Sequence, residues 1–379
     1  MINQTEQTLY RLSNLDAQQT RISYQMSTKK KLQQGSDDSV LYAREIYVDN
    51  KIRVHEGLKT QIERTTAQNT VSDSSVGEIK KLLEFVKTEL IKANTSTTSD
   101  EGLKAIAVSI SGVKENLFDL ANTQVEGEYL FSGSDSSVQA FSKNSDGSIS
   151  YNGDNKLRKV IVDEGSYRER GINGYDMMMY SSSIATKGET LTFSSEDQIF
   201  DEDGYEWKLN LPTNNTLTKY DFDGTILTDT LSVTNDALTP PTYSAIVPST
   251  DGTKFEAKTN IFNVLDKIIN SLNKVDNLGN PISNDIAKAG ISKGLDDISD
   301  AFDGVNVAHA ELGGRNKIFE ISLEKVSSKL TQYNILSQEI GAADLSKVAM
   351  EAKALELTYT ALYSTISKTN QLSLVNFLN

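Results

Sequence analysis

The sixty residues Glu320–Asn379 decide the fold, and they read EISLEKVSSKLTQYNILSQEIGAADLSKVAMEAKALELTYTALYSTISKTNQLSLVNFLN. Their apolar residues recur in alternating steps of three and four, with one slip close to Gly341. The stripe consists of Leu323, Val326, Leu330, Tyr333, Leu336, Ile340, Leu345, Val348, Ala352, Leu355, Tyr359, Leu362 and Ile366. This spacing places the side chains on one face of a helix. Because Gly341–Asn379 carries only six charged residues, we expect another helix to cover that face.

Composition limits the classes of protein. At 379 residues the chain is expected to form two or three domains. Its net charge of −14 argues against nucleic acid as a partner, since phosphate binding needs a basic patch. The apolar runs are too short to insert in a membrane. The N-terminus lacks the apolar core of a cleaved secretion signal, and the absence of cysteine excludes disulfides and thiolate chemistry.

The N-terminal segment Met1–Gln34 is predicted to be a helix that supplies a matching seam. Its seam residues are Leu12, Leu15, Ile22 and Met26. Lys29–Lys31 suit the C-terminal end of a helix dipole, and Gly35 suits a left-handed stop. Ser36, Asp37 and Asp38 are then expected to cap the next helix and to place carboxylates in its first turn.

Further helices are predicted on both sides of the middle of the chain. The second runs from about Ser39 to about Leu90, and a third follows the turn Asn94–Ser99. Its seam is Leu103, Ile106, Ile110, Val113, Leu117 and Leu120. Helix is expected to resume at Thr259 and, after a loop, to run from Asn284 to Ile340, a length of roughly 85 Å. Within it, Gly313 and Gly314 are interpreted as a site of close helix approach.

The middle of the chain carries β patterns. Asp146-Gly147, Asn152-Gly153 and Asp203-Gly204 are favoured tight-turn pairs beside short alternating runs. Phe131–Lys258 holds 20 acidic against 11 basic residues. We expect this acidic β part to form a solvated outer surface.

The predicted fold class is α+β: a long, rod-like antiparallel terminal-helix bundle with an inserted antiparallel β domain. The predicted division has a terminal coiled-coil core segment at 1–35 plus 341–379. A helical domain at 36–137 plus 259–340 and an acidic β-rich outer domain at 138–258 complete it. A terminal helix pair with one seam is marginal alone, because helices gain most of their stability from packing. We therefore expect neighbouring molecules to complete it.

Several stretches resemble one family, the hook–filament junction proteins of bacterial flagella, which are the third hook-associated proteins and relatives of flagellin. The resemblance is carried by LQQGSDDS (32–39), NTQVEGEYLFSGS (122–134), YNGD (151–154), GINGYD (171–176), ELGGRN (311–316) and SLVNFL (373–378). Ser39 stands where the family usually has Pro. The motif residues are Ser36, Asp37, Asp38, Tyr129, Leu130, Phe131, Gly133, Gly313, Gly314, Arg315 and Asn316. The section 181–258 matches no part of the family pattern.

The resemblance implies a structural adapter that uses no cofactor and is not an enzyme. Such proteins form a ring between the hook-side junction protein (the first hook-associated protein) and the flagellin filament. They leave the cell through the flagellar export apparatus, and a cytoplasmic export chaperone binds the C-terminal helix. We expect the two terminal seams to be the assembly interface and to be disordered until they dock.

Three other functions agree less well with the sequence. Flagellin shares the terminal-helix plan and is the alternative function. An enzyme or metal protein is disfavoured, because His55 and His309 lie at seam positions and are expected to be polar core residues. Asp221, Asp223, Gly224 and Asp229 resemble part of a calcium loop, but Ser232 stands where the bidentate Glu is required, so a turn is expected. A signalling or adhesion rod would need a membrane anchor.

Overall fold

The structure is a computed structural model that describes residues 2–95, 98–145, 147–210, 213, 215–221, 224–236 and 241–377. The side chains of residues 2–5 and 369–377 lie outside this description. So do Asp146, Asp223 and part of the predicted turn 94–99. The chain forms two compact units. Unit 1 consists of Met1–Thr60 and Leu323–Asn379, and unit 2 consists of Gln61–Ser322.

The helices and strands follow in chain order. The helices are α1 (Ile2–Thr28), α2 (Ser39–Ala93), α3 (Asp100–Ala121), α4 (Gly174–Met178), α5 (Ile261–Leu272), α6 (Asn284–Gly341) and α7 (Leu345–Phe377). The first strands are β1 (Gln124–Val125), β2 (Glu128–Tyr129), β3 (Phe141–Lys143), β4 (Ile149–Tyr151), β5 (Lys159–Asp163), β6 (Ser166–Glu169) and β7 (Met179–Thr186). The remaining strands are β8 (Thr190–Phe193), β9 (Gln198–Asp201), β10 (Glu206–Leu209), β11 (Thr216–Tyr220), β12 (Ile226–Asn235), β13 (Tyr243–Ile246) and β14 (Lys254–Asn260).

The end of α1 differs from its prediction. The helix stops at Thr28, and Lys29, not Gly35, has the left-handed conformation, with a φ of 60°. The reason is a pair of backbone hydrogen bonds between the segment after α1 and the segment after α6. The amide of Lys31 donates to the carbonyl of Gly341, and the amide of Ala343 donates to the carbonyl of Lys29. These bonds hold residues 29–31 against the break between α6 and α7.

The predicted cap of α2 is correct only for Asp38. Its Oδ1 accepts the amide of Leu41 at 3.0 Å, whereas Asp37 closes the preceding turn by accepting the amides of Gln33 and Gln34. Those backbone hydrogen bonds hold the pKa of Asp37 below its ordinary value. Ser36 is exposed, and the first turn of α2 contains no carboxylate.

The long helices follow the predicted seams because the apolar spacing matches the helical repeat. In α3, Ser99 caps the N-terminus, and Leu103, Ile106, Ile110, Val113 and Leu117 are buried. The single helix predicted from Asn284 to Ile340 is α6. It passes through Gly313 and Gly314, and a Cβ at either would meet no described atom within 4 Å. The prediction that they permit a close helix approach is therefore wrong for the described chain.

Strands β7–β14 form one antiparallel sheet, and this sheet contains most of the section 181–258, which matched no part of the family pattern. The strand order is β7-β14-β9-β10-β11-β12-β13-β8. The predicted Asp203-Gly204 turn joins β9 and β10, which pair antiparallel. The sheet core contains Trp207, Phe255 and Leu217, and the Trp207 indole donates to Asp201 at 3.0 Å. Trp207 is thus a buried aromatic residue of strand β10.

Between residues 131 and 178 the strands pair differently from the prediction of a tight turn at Asn152-Gly153. Asn152-Gly153 does not close a hairpin, because β4 pairs with β3 and β5 pairs with β6. The helical part resumes two residues later than predicted: Thr259 belongs to β14, and Asn260 caps α5. Side chains of β3, β4 and α4 share one hydrophobic core with α3, α5 and α6. The three-part domain division stays a prediction, while the α+β class with an inserted antiparallel β domain is confirmed.

Glu128 joins distant parts of unit 2 through an ion-pair cluster. Its carboxylate lies 3.0 Å from Arg158, 3.1 Å from Arg170 and 3.7 Å from Arg64, and Gln68 donates to it at 3.2 Å. Burial alone would raise the pKa of Glu128, but the positive charges of Arg158 and Arg170 outweigh it and lower the pKa. The cluster ties α2, β2 and the ends of the β5–β6 hairpin.

We expect opposite effects from adding a methyl group at two glycines. A Cβ at Gly174 would lie 2.7 Å from the rings of Phe141 and Tyr151, and Phe131, Phe141 and Tyr151 are all buried. Gly174→Ala should therefore lower the free energy of unfolding by about 1–3 kcal/mol. Gly313→Ala lies in an open stretch of helix and should raise it by up to about 1 kcal/mol. Urea denaturation followed by circular dichroism measures both, and equal effects of the two variants would contradict the packing described.

The Glu128 cluster predicts a pH dependence. Because the folded pKa is below the ordinary value of 4.5, the cluster stabilises the fold above that pH and loses its effect as the pH falls through the folded pKa. Glu128→Gln should cost about 1–3 kcal/mol at pH 7. Below pH 4.5 the difference from the parent chain should shrink. Thermal denaturation from pH 3 to 8 measures this, with the exposed Glu84→Gln as control; a difference independent of pH would refute the assignment.

Candidate assembly surfaces

The terminal helices α1 and α7 pack against each other inside unit 1. Their core is small: Ile22, Val348 and Leu355 are buried, and Leu15, Ala343, Ala352 and Tyr359 pack around them. Two polar ties flank this core. Arg21 pairs with Glu351 at 3.0 Å, and the Tyr359 hydroxyl donates to Asp16 at 2.6 Å. The hydrogen bond to Asp16 raises the pKa of Tyr359 to about 12.

Most of the predicted interface residues lie on this seam, and two do not. Leu12, Leu15, Ala352, Tyr359, Leu362 and Ile366 are half-buried, and Ile22, Val348 and Leu355 are buried. Met26 is exposed, because Gln25 takes the inward position and donates to the carbonyl of Lys31 at 2.7 Å. Leu345 is exposed because it is the first residue of α7, after the break that the slip in spacing indicated. Their assembly role stays a prediction.

A second apolar face of α7 is the feature that the sequence analysis missed. Met350, Ala354, Leu357 and Ala361 follow one another at steps of four, three and four, and all are exposed. With 100° per residue, this face lies nearly opposite the seam of Val348 and Leu355. Met350 and Leu357 are 67% and 63% exposed. Helix α7 therefore has two apolar stripes, not one. A search of its sequence for a second set of apolar residues at the same 3-4 spacing would have found this stripe.

Other helices of unit 1 also expose large apolar side chains. On α1 these are Leu9 and Tyr10, and on the first half of α2 they include Val40, Ile46 and Tyr47. Isolated exposed apolar residues are ordinary, but grouped ones mark interaction surfaces. We call the exposed apolar side chains of α1, α2 and α7 in unit 1 the terminal apolar surface.

In unit 2 the motif stretches 129–134, 151–154 and 171–176 meet. The carbonyl of Phe131 accepts the amide of Gly174 at 2.6 Å and the Tyr151 hydroxyl at 3.2 Å. Gly133 has a φ of +89°, and a Cβ there would lie 2.1 Å from the Asp154 carboxylate. Phe131 is fully buried, whereas Tyr129 and Leu130 are half-buried. These motif residues build a junction between helices and strands.

The motif stretch 311–316 contacts the same junction through Arg315. Its Nη1 donates to the carbonyl of Gly171 at 3.1 Å, and its Nη2 donates to Glu311 at 3.0 Å. Asn316 is half-buried, and its side-chain oxygen has no partner among the described residues. The ending 373–378 cannot be compared, since its side chains lie outside the described residues.

The residues considered for metal or catalytic chemistry have structural surroundings. His55 is buried, with Nδ1 2.8 Å from the carbonyl of Lys51, and its ring lies 5.2 Å from that of Tyr333. His309 lies 3.1 Å from Asp73. Asp221 and Gly224 close a turn, as expected. Across the described ranges, no group of three or more His, Asp or Glu is arranged to hold a metal ion. None of the described helices could cross a membrane.

The sequence is similar to those of flagellar proteins. Residues 2–136 match the model of the bacterial flagellin N-terminal helical region. The chain is 25% identical over 161 residues to flagellar hook-associated protein 3 of Salmonella typhimurium, covering 42% of this chain and 49% of that protein. It is 27% identical over 141 residues to the protein of the same name from Escherichia coli, covering 36% and 44%. The matched part thus spans about half the length of each relative.

Two solved structures share the fold. The crystal structure of flagellar hook-associated protein 3 from Legionella pneumophila has a TM-score of 0.52 at 19% identity, covering 78% of this chain and 98% of that one. A flagellar hook-associated protein from Vibrio parahaemolyticus has a TM-score of 0.53 at 14% identity, covering 81% and 100%.

The resemblance drawn from the sequence motifs is confirmed by these matches, which agree in sequence and in fold. The matched proteins are structural components of the flagellum and not enzymes. The chain is therefore similar in sequence to flagellar hook-associated protein 3, and it shares the fold of the solved protein of that name.

Proposed function

We propose that this chain is a structural adapter of the bacterial flagellum that assembles as a ring at the hook–filament junction. In this role it links the hook-side junction protein, the first hook-associated protein, to the flagellin filament. The observation that carries the proposal is the terminal apolar surface. Helix α7 has two apolar faces, and α1 occupies the one that contains Val348 and Leu355.

Burial energetics favours completion of this surface by neighbouring molecules. Fully burying a large apolar side chain contributes about 1.5–3 kcal/mol. Met350 and Leu357 on α7, and Leu9 and Tyr10 on α1, are more than half exposed. Their burial between copies, or against the hook-side protein and flagellin, would add stability that the isolated helix pair lacks.

Before assembly the chain would pass through the flagellar export apparatus, and a cytoplasmic chaperone would cover the exposed stripe of α7 until then. Residues 1–35 and 341–379 would form the inner core of the ring, and the acidic sheet domain would face outward. The motif residues Phe131, Gly133 and Arg315 would hold the domain junction in shape.

Flagellin remains the second candidate. The match over residues 2–136 is to the flagellin N-terminal helical region, so it does not separate a filament subunit from a junction protein. The names of the matched relatives favour the junction protein. A filament subunit would be the most abundant protein of the filament, whereas an adapter would be confined to one level.

The test is complementation of a strain that lacks this chain. We expect the strain to have hooks without filaments and to release flagellin into the medium. The full chain should restore filaments, and versions without 1–34 or 341–379 should not. The double variant Met350→Gln/Leu357→Gln should also fail to restore them. Its helix content should equal that of the parent, and its free energy of unfolding should stay within about 0.5 kcal/mol of the parent's, because both positions are exposed.

Glu356→Gln is the matched control, since Glu356 is an exposed polar residue of the same helix. It should restore filaments fully. Normal filaments in the deletion strain would refute the adapter function. Loss of both filaments and secreted flagellin would make flagellin the better answer, and full rescue by the Met350/Leu357 variant would refute the role of the second apolar face.

A further inference from the structure

Strand β12 has an unpaired side. Along Ile226–Ser232 it pairs with β11 on one side, whereas β13 pairs only with Val233–Asn235 on the other. Among the described residues, no further strand pairs with that second side of Ile226–Ser232. We call it the open edge. A row of unpaired backbone N–H and C=O groups is a template on which a strand of another molecule can add.

The two end strands of the sheet, β7 and β8, are arranged differently. The loop 187–189 joins them, so they lie beside each other. The amide of Thr192 on β8 donates to the hydroxyl of Ser183 on β7 at 3.4 Å. The described part of the chain provides no such neighbour for the open edge of β12, which is therefore the side of the sheet most in need of protection.

The sequence of the open edge favours association. Residues 226–233 read ILTDTLSV, with four β-branched side chains beside two leucines and no proline. Short segments with high β-propensity, little charge and no proline pair readily with copies of themselves. Asp229, part of the partial calcium-loop pattern in the sequence, is the only charged residue of Ile226–Asn235. It is exposed within β12, so one carboxylate separates this segment from an uncharged strand.

A bulge lies at the same place. The register shifts between Thr218 and Tyr220 of β11, so the three residues 227–229 of β12 stand opposite Lys219 alone. Bulges bend a strand and increase its local twist. Natural edge strands use both bulges and charged side chains to discourage pairing with other chains. Asp229 and the bulge are thus two protective features at one point of the open edge.

We propose that the open edge of β12 is a latent self-association site and that Asp229 keeps it from pairing with a second copy of this chain. Two such edges can meet as antiparallel strands. The register that aligns Leu227 with Leu231 then sets Asp229 against Asp229 of the other copy, because it lies midway between the leucines. Like charges directly opposite each other destabilise a strand pair, and pairing would also take both carboxylates out of water. The proposal concerns unit 2 alone and does not depend on the proposed flagellar role.

Sedimentation velocity on the full-length chain tests the proposal. Asp229→Thr should raise the association constant about tenfold or more above that of the parent, because pairing no longer buries a charge. Asp229→Glu keeps the charge and should stay within about twofold of the parent. So should Thr228→Val, which adds an apolar side chain beside an intact Asp229. The double variant T228K/D229T returns a charge to the edge and should sediment like the parent.

Asp119→Thr is the matched control, since it removes one negative charge from an exposed position on α3 and should leave the association constant within about twofold. Circular dichroism verifies that each variant is folded, and Asp229→Asn repeats the test if the threonine variant unfolds. Hydrogen exchange locates the contact: amides of Ile226–Ser232 should become protected in the Asp229→Thr oligomer.

Three results would overturn the proposal. The first is an Asp229→Thr chain that sediments like the parent. The second is association of Asp119→Thr to the same degree, or association of Asp229→Thr that the added lysine at position 228 does not reverse. The third is protection in the oligomer that is confined to strands other than β12.

Discussion

The packing of α7 on α1 is the contact on which the assembly account depends. It buries Ile22, Val348 and Leu355 and adds the hydrogen bond between Tyr359 and Asp16. Three buried side chains offer little free energy against the conformational entropy of ordering two helices of 27 and 33 residues. The exposed second face of α7, with Met350 and Leu357, supports the proposal that assembly adds the stability that the isolated pair lacks.

Unit 2 has the opposite character. Its helices and strands share an extended core that includes Phe131, Phe141 and Phe262, all fully buried. The ion pairs of Glu128 and the close packing around Gly174 fix the junction where helices give way to strands. Unit 2 thus has an extended core of its own, whereas the buried core between α1 and α7 is small and we propose that association completes it.

Much of the fold could be predicted from the sequence, because a strong 3-4 periodicity of apolar residues identifies a helix. Residues Asn284–Ile340 were predicted as one helix, and the slip near Gly341 marks the break before α7. Failures occurred where tertiary contacts override local preference. Lys29 takes a left-handed conformation because its neighbours bond to Gly341 and Ala343, and Gly153 packs under Ser132 where a hairpin turn was expected. The pairing of β7 with β14, about seventy residues apart, has no local signature.

Hydrogen–deuterium exchange on the chain, free and in assembled junctions, tests the central claim most directly. The claim is that unit 1 is marginal until neighbours cover it. In the free chain, amides of α1 and α7 should exchange orders of magnitude faster than those of α3 and the unit 2 part of α6, because their opening free energies are small. On assembly they should become protected to a similar degree. Equal protection of α1, α7 and α3 in the free chain would contradict the account.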